Sequence, residues 1–298
     1  MGEILASFSN DLADVVETGG LGVVRVEARD RLPASGIVWT QPGVVVTAHH
    51  VVERDENIIV GLPGGESVPA TLAGRDPTTD LAVLRLDVPA ASPANFAEPD
   101  GLRVGHTILA LGRPGGSVRA TMGIIGALGK EWRTPAGGSV DRYLQTDTVM
   151  YPGFSGGPLV DVSGRILGLN TSALLQGVSL TLPIPTLRRV VDHLLAHGRV
   201  RRAHLGVGLQ PTRLPKELAD ELGHETGLLL LSVEPGSSAD LGGLFLGDTI
   251  VSLGGRPVRH LDDLMASLSG DQVGKDLPVK ILRAGSLLEI QVSPVEKE

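Results

Sequence analysis

The chain has no cysteine among its 298 residues. Disulfide bonds and zinc sites made of thiolates are therefore excluded, and packing alone must stabilise the fold. Positive charge is also scarce, because 26 lysines and arginines face 34 aspartates and glutamates, for a net charge of −8. A nucleic acid is an unfavourable partner for such a chain, since its phosphates would meet no surplus of cations.

Long apolar segments are missing as well. The sequence contains no run of eighteen apolar residues, and the segment from Met1 to Ala6 has neither a basic stretch nor a long apolar one. A membrane-spanning helix requires a long apolar run, and a secretory leader requires a basic stretch followed by an apolar one. As written, the sequence therefore predicts a cytoplasmic protein.

Hydrophobic residues make up 42% of the chain, whose length suffices for two domains with separate cores. Glycines are frequent, and short valine- and leucine-rich runs between Gly22 and Leu182 favour a turn-rich β architecture of roughly twelve strands. In the N-terminal segment, apolar residues recur at helical spacing and predict a helix with one apolar stripe: Ile4, Leu5, Phe8, Leu12, Val15 and Val16. The stripe either packs on its own domain or forms a subunit contact.

The segment Gly153-Phe154-Ser155-Gly156-Gly157-Pro158 places a serine between glycines, where neither a helix nor a strand can continue. Such a serine is exposed and is flanked by bare backbone N–H groups. An acyl-transfer nucleophile needs this setting, because the N–H groups stabilise the oxyanion that forms when the serine attacks a carbonyl. Ser155 is therefore a candidate nucleophile, although a serine in this context also occurs in plain turns.

Two further segments contain residues that would complete such a site. His49 and His50 follow a valine-rich run and lie at a predicted strand end, and Asp80 follows an Asp-Pro turn signal. Asp80 comes 30 residues after His50, and Ser155 comes 75 residues after Asp80. This order of His, Asp and Ser is that of chymotrypsin-type enzymes, in contrast with subtilisins and α/β-hydrolases.

Together these segments resemble the HtrA (Deg) family of trypsin-like serine proteases: His50 lies in T-x-x-H-V-V, Asp80 in D-P-x-T-D-L-A-V-L and Ser155 in G-x-S-G-G-P-L-V. The resemblance implies a mainly β fold, a chymotrypsin-like double six-stranded β-barrel with His50 and Asp80 on the first barrel and Ser155 on the second. It implies that His50 is the general base and that Asp80 orients it. The N–H groups of Gly153 and Ser155 would form the oxyanion hole, and no metal or cofactor is required.

The resemblance also implies partners. Unfolded or misfolded polypeptides are the expected substrates, and a homo-oligomer, with a trimer as the expected form, would be held by N-terminal segments. Most members of the family act outside the cytoplasm. The alternative to a cytoplasmic protein is therefore an extracytoplasmic one whose leader has been removed.

Two residues near the candidate active site depart from the family pattern, and His204 does so where the binding loop described below usually begins with an aromatic residue. His49 places a second imidazole beside His50, and we assign the base to His50 because a Val-Val pair follows it directly. Phe154 stands where the family usually has asparagine, and its ring could alter the leaving-group side of the site or hold the turn in an inactive state. The alternative function is therefore a catalytically silent or latent protease fold that acts as a binding module or holdase chaperone.

The segment Ser179–Pro185 aligns with the family segment that walls the S1 pocket, and its candidate lining residues are Leu180 and Leu182. It has no acidic residue of the kind that makes a pocket trypsin-specific. Small or medium aliphatic P1 residues are therefore expected.

The last part of the chain resembles an α+β PDZ domain. The segment His204-Leu205-Gly206-Val207 matches the carboxylate-binding loop of these domains, and helical spacing predicts a short amphipathic helix that contributes Leu264, Met265 and Leu268 to the groove. In such a groove an extended C-terminal peptide adds a strand. The alternative occupants are the protein's own tail and a neighbouring domain.

The predicted order is thus an N-terminal helical segment over residues 1–20, a protease domain over 21–185, a helix and linker over 186–203, and a PDZ domain over 204–298. Thr186 is expected to cap the helix and Gly198 to end it.

Overall fold

The computed structural model describes residues 2–39, 43–88, 94–97, 101–268 and 270–296. The chain divides into two compact units, one up to Val200 and the other from Arg201 onward. Each unit has an apolar core of its own.

The first unit begins with one helix, α1 (Gly2–Gly20). The apolar residues of its second half pack on the core of the unit: Leu12, Val15 and Val16. The apolar residues of its first half are exposed: Ile4, Leu5 and Phe8. The predicted stripe is therefore covered over only half of its length.

Six antiparallel strands then form the first barrel: β1 (Val23–Glu27), β2 (Ala34–Val38), β3 (Val44–Ala48), β4 (Ile58–Gly61), β5 (Ser67–Asp76) and β6 (Leu81–Leu86). Their order is β1-β2-β3-β6-β5-β4, and pairing of β1 with β4 closes the barrel. Every residue of β2 and β3 is buried, as expected for strands covered on both faces. The end of β3 lies opposite the start of β6, because Ala48 pairs with Leu81.

The next eight strands form the second barrel and a small hairpin: β7 (Thr107–Gly112), β8 (Arg119–Leu128), β9 (Trp132–Arg133), β10 (Ser139–Val140), β11 (Leu144–Thr146), β12 (Pro158–Asp161), β13 (Ile166–Thr171) and β14 (Ser179–Pro183). In the described part of the chain, β9 and β10 pair only with each other. The remaining six strands close in the order β11-β14-β13-β12-β7-β8, with β8 paired to β11.

The helix α2 (Ile184–His197) ends the first unit and packs an apolar face on β5 and β6. The prediction that Thr186 caps this helix is wrong, because the helix begins two residues earlier and Pro183 is the N-cap. The Thr186 hydroxyl lies within the first turn and donates to the Asp141 carboxylate at 2.7 Å. The prediction that Gly198 ends the helix is confirmed, since Gly198 adopts the left-handed conformation with a φ of 72°.

The described residues of the second unit form two sheets, three short α-helices and a 3₁₀ helix (Gly270–Gln272). The strands and α-helices follow in the order β15 (Ala203–His204), β16 (Val207–Arg213), α3 (Lys216–Leu222), β17 (Thr226–Val233), α4 (Ser238–Leu241), β18 (Thr249–Leu253), β19 (Arg256–Pro257), α5 (Leu261–Ser267), β20 (Leu277–Arg283), β21 (Ser286–Val292) and β22 (Val295–Glu296). The main sheet has the order β16-β17-β18-β20-β21, with β19 beside β18, and β15 pairs with β22.

The predicted fold class is confirmed: the chain is mainly β, with two six-stranded barrels followed by an α+β domain. Among the helices that the structure describes, none has both the length and the apolar character needed to cross a bilayer.

Candidate active site

Asp80 lies just before β6, in a turn that the Asp76 carboxylate stabilises through hydrogen bonds. Asp76 accepts hydrogen bonds from the Thr78 N–H at 3.1 Å and from the Thr79 hydroxyl at 2.6 Å. Asp80 itself has a φ of 58°, in the left-handed region that aspartate adopts more readily than most residues. The turn leaves the Asp80 side chain buried.

His50 follows the end of β3 and contacts Asp80 with both its backbone and its ring. The His50 N–H donates to Asp80 Oδ1 at 2.8 Å, and His50 Nδ1 lies 2.8 Å from Asp80 Oδ2. Because an ionised carboxylate only accepts hydrogen bonds, Nδ1 is the nitrogen that donates. The opposite ring nitrogen, Nε2, is then the one able to accept a proton.

The second barrel contributes another partner to the same carboxylate. Thr171, the last residue of β13, donates its hydroxyl to Asp80 Oδ2. Asp80 therefore accepts hydrogen bonds from the His50 backbone, the His50 ring and Thr171. Three donors compensate the cost of burying this charge and fix its position.

The turn that carries Ser155 packs directly on the first barrel. Gly156 has a φ of 86°, and a Cβ atom on it would lie 2.1 Å from the Ser35 carbonyl oxygen and 3.1 Å from the Ala48 backbone nitrogen. The Ser35 N–H also donates to the Ser155 carbonyl at 3.2 Å. Only glycine permits this approach, which brings the residue after Ser155 against the strand end that precedes His50.

The Ser155 hydroxyl has a neighbour that the sequence did not suggest. Its Oγ lies 3.2 Å from the Ser172 Oγ, in the segment that follows β13. Among the hydrogen bonds of the described residues, none joins Ser155 to His50. In proteins without bound substrate such bonds are often long.

The segment from Tyr151 to Phe154 forms a tight turn before the serine. The Phe154 N–H donates to the Tyr151 carbonyl at 3.0 Å, and Gly153 has a φ of 92°. Proline at the second position and a glycine with positive φ at the third define a type II turn. Within the described residues, the N–H groups of Gly153 and Ser155 donate to no protein acceptor, so both are free to bind an oxyanion.

The predicted carboxylate-binding loop of the second unit lies between β15 and β16. Gly206 has a φ of 78°, and a Cβ atom there would lie 2.3 Å from the Ser237 Cβ. In the described part of the chain, the N–H groups of Leu205 and Gly206 have no protein acceptor. His204 Nε2 is 3.6 Å from a Glu234 carboxylate oxygen, while Leu205 is buried.

The predicted groove helix is α5, which packs beside β16. Leu264 and Leu268 are buried in the core of the unit, and Met265 is half-buried. The arrangement leaves a strand edge and a helix next to each other. An extended peptide can add a strand to such an edge, and the neighbouring helix can contact its side chains.

Known proteins resemble both units. The family description "Trypsin-like peptidase domain" matches residues 34–169, and "PDZ domain" matches residues 203–293. A solved structure described as the HtrA-type protease AlgW with a decapeptide is 27% identical, has a TM-score of 0.79, and covers 96% of this chain and 99% of that one.

Two curated relatives extend the comparison. A protein of Chlamydia trachomatis serovar D, named as a DegP-like periplasmic serine endoprotease, is 35% identical over 90% of this chain and 55% of that protein. The HhoB protein of Synechocystis sp. is 31% identical over 90% of this chain and 67% of that protein. The chain belongs to the HtrA family of serine proteases. It spans about half the length of the chlamydial relatives that it matches.

Phe154 lies in the candidate active-site turn of this HtrA chain, immediately before Ser155. Its ring is only 1% exposed and belongs to an apolar cluster in the second barrel with Ile108, Ala110 and Leu144. Gly112 makes room for it, because a Cβ atom there would lie 3.1 Å from the ring. The Phe154 side chain therefore fixes the turn to the apolar cluster, while Ser155 remains partly exposed to solvent.

His49, the other departure near the candidate active site, contacts Asp80 through its backbone. Its backbone N–H donates to the Asp80 carbonyl at 3.0 Å, while its buried Nδ1 has no partner among the described residues. Burial lowers the pKa of His49, an effect that the Asp80 charge opposes and that Arg75 and His50 reinforce. The ring is therefore neutral at neutral pH.

Leu180 and Leu182 lie on one face of β14, and both are almost completely buried in the core of the first unit. Their place in an S1 pocket stays a prediction.

Within the described residues, no group of three or more histidine or acidic side chains has the arrangement of a metal site. Sequence reasoning missed three residues that contact the site: Ser35, Thr171 and Ser172. Each is a small hydroxyl residue in or next to a strand. What marks it as part of the site is its spatial proximity to residues that are distant in the sequence. Such proximity is visible only after folding.

We expect Phe154→Ala to destabilise the first unit by about 3–5 kcal/mol, because it removes a fully buried ring and leaves a cavity beneath the turn. Phe154→Leu, which keeps most of the apolar volume, is the control and should cost about half as much or less. Chemical denaturation of both variants measures the difference. Equal stability of Phe154→Ala and wild type would contradict the anchoring role.

Proposed function

We propose that this HtrA chain is a serine endopeptidase that hydrolyses peptide bonds in unfolded or misfolded polypeptides. The observation that carries the proposal is the His50–Asp80 pair, with its 2.8 Å ring contact, against which the Ser155 turn packs through Gly156. A base oriented by a buried carboxylate beside an accessible serine is the arrangement that nucleophilic acyl transfer needs.

In the proposed reaction, Ser155 Oγ attacks the carbonyl carbon of the scissile bond while its proton passes to His50 Nε2. Asp80 stabilises the imidazolium that forms, because its carboxylate already accepts from Nδ1. His50 then gives the proton to the leaving amine, and the C–N bond breaks to give an acyl-enzyme. Water, activated by the same histidine, hydrolyses the ester and restores Ser155.

The N–H groups of Gly153 and Ser155 are the proposed oxyanion hole. Both lack a protein acceptor in the described part of the chain, and both belong to a turn fixed by surrounding contacts. Donors that need no rearrangement during the reaction stabilise the developing negative charge most effectively. We propose aliphatic P1 residues, with Leu180 and Leu182 on the wall of the S1 pocket.

A catalytically silent binding module is the second candidate function. The hydrogen bond between Ser155 and Ser172 favours it, because the serine hydroxyl is engaged outside the His50–Asp80 pair. Covalent labelling distinguishes the two functions, since a fluorophosphonate reacts only with an activated serine.

We further propose that the second unit recruits substrates or activators through their free C-termini. The free N–H groups of Leu205 and Gly206 suit a carboxylate, and the side chains of Leu264, Met265 and Leu268 would contact the last residue of the peptide. Solved structures of the HtrA-type protease AlgW contain a decapeptide or a tripeptide. Its likeness to this chain supports peptide binding here.

The exposed half of α1 supports a homo-oligomer, and we propose a trimer. Ile4 and Leu5 are 74% and 64% exposed, which is costly for large apolar side chains on one helix face. A subunit contact would remove them from water. For the location, relatives named as periplasmic support an extracytoplasmic protein in preference to a cytoplasmic one.

We expect Ser155→Ala and His50→Ala each to reduce cleavage of fluorescent casein by about 10⁴-fold or more, because each removes an essential group of one catalytic unit. His49→Ala is the matched control and should have a mild effect. Circular dichroism verifies that each variant is folded, and a fluorophosphonate should label wild type but not Ser155→Ala. Turnover by Ser155→Ala within tenfold of wild type, or a larger loss in His49→Ala than in His50→Ala, would contradict the assignments.

Replacing Ile4, Leu5 and Phe8 together with serine should convert the oligomer into a monomer, because the substitution removes the apolar face without touching the half of α1 that packs on the barrel. Light scattering measures the mass. Leu241→Ser, which changes an 81% exposed leucine in the second unit, is the control and should leave the mass unchanged. An unchanged mass in the triple variant would refute the role of α1 in assembly.

We expect an apolar peptide with a free C-terminus to bind the Ser155→Ala variant of this 298-residue chain with a Kd of roughly micromolar order. The same peptide with an amidated C-terminus should bind at least about tenfold more weakly, because it lacks the charge that the loop N–H groups hold. Fluorescence anisotropy measures both. A Gly206→Ala substitution, which strains the loop, should weaken binding of the free acid only. Equal affinities for acid and amide would exclude a carboxylate site.

A further inference from the structure

Ser35, the second residue of the buried strand β2, contacts the candidate active-site turn at two points. Its hydroxyl donates to the Gly153 carbonyl at 2.6 Å, and its N–H donates to the Ser155 carbonyl at 3.2 Å. The Ser35 side chain is completely buried. Residues 118 positions apart in the chain are thus joined by a hydrogen bond that water does not reach.

The bond matters because of the kind of turn that it holds. In the type II form, the Pro152–Gly153 peptide is rotated by about 180° relative to its orientation in a type I turn. The Gly153 N–H belongs to that peptide, so exchange between the two forms would reverse its direction. By binding the Gly153 carbonyl, Ser35 restrains the residue whose rotation such an exchange requires.

Arg113, the residue after β7, supports Ser35 in turn. Its backbone N–H donates to the Ser35 hydroxyl oxygen at 2.7 Å. A hydroxyl that accepts on one side donates more strongly on the other, so this contact directs the Ser35 proton to Gly153. The backbone of Arg113 therefore orients the bond that holds the turn.

The Arg113 side chain is buried and contacts three backbone carbonyls. Nε donates to Val23 at 2.7 Å, and the two terminal nitrogens donate to Gly116 and Gly20 at 3.0 Å each. Gly20 is the last residue of α1, where the helix dipole favours a cation. Desolvation lowers the pKa of Arg113, and the three carbonyls compensate the burial of its charge.

We propose that Ser35 and Arg113 are positioning residues that hold the active-site turn in its type II form and connect it to the end of α1. The inference depends on the proposed function, because the direction of the Gly153 N–H matters only if Ser155 is the nucleophile. Neither residue touches the reacting atoms. Their effect is to keep one oxyanion donor aimed before substrate binds.

The test uses the full chain and a short chromogenic peptide with valine at P1. Ser35→Ala should lower kcat by about tenfold to a hundredfold, the range expected for a misaimed oxyanion donor, with KM changed by less than about twofold. The acid limb of the kcat/KM pH profile should not move, because the contacts of His50 and Asp80 are intact. A residue that served only to stabilise the fold would not separate kcat from KM in this way.

Two more variants make the result decisive. Thr146→Val removes another buried hydroxyl of the same unit, one that contacts Thr148, and should leave kcat unchanged. Arg113→Lys keeps the backbone donor and the charge but cannot contact all three carbonyls, so kcat should fall about threefold to tenfold. It decides the question if Ser35→Ala fails to fold.

The outcomes distinguish failure of the positioning role from failure of the proposed function. A kcat for Ser35→Ala within twofold of that for Thr146→Val, or an unchanged kcat for Arg113→Lys if Ser35→Ala does not fold, overturns the positioning role while Ser155→Ala remains inactive. Hydrolysis that survives Ser155→Ala overturns the proposed function and the positioning role with it. A selective fall in kcat for Ser35→Ala supports both.

Discussion

The buried carboxylate of Asp80 joins the two barrels at the point where the site forms. The first barrel supplies the His50 N–H and ring, and the second barrel supplies the Thr171 hydroxyl. The three hydrogen bonds compensate the desolvation free energy of this buried carboxylate, and the loss of any one of them would destabilise the folded state. The geometry of the histidine is therefore inseparable from the correct docking of one barrel on the other.

The site also requires that the backbone of the Ser155 turn lie close to the backbone of the first barrel. Gly156 meets the Ser35 carbonyl where no side chain would fit, so the serine turn and the strand before His50 approach as closely as their backbones permit. Aspartate in a left-handed conformation at position 80 belongs to the same set of constraints. The fold tolerates this backbone geometry because the barrels on either side hold both partners in place.

Local patterns predicted the local parts of this structure. The valine-rich runs gave the strands of the barrels, and the glycines around Ser155 and at position 206 marked turns that have positive φ angles. Thr186 failed as a predicted cap because its hydroxyl binds Asp141, 45 residues away, and Pro183 begins the helix instead. Ser35 and Thr171 were invisible for the same reason. Their partners lie 118 and 91 residues away, and a hydroxyl in a strand gives no sign of what it will meet.

Phe154 anchors the loop that carries Ser155 with an apolar side chain, and this kind of anchor affects how the loop becomes ordered. A ring that is sealed in the second barrel ties the ordering of the loop to the cooperative folding of the whole domain. The conformational entropy of these residues is then lost once, during folding, and is not lost again each time a ligand binds. Heat should therefore abolish the order of the loop and the order of the barrel in one transition, with no temperature range in which an intact barrel carries a melted loop.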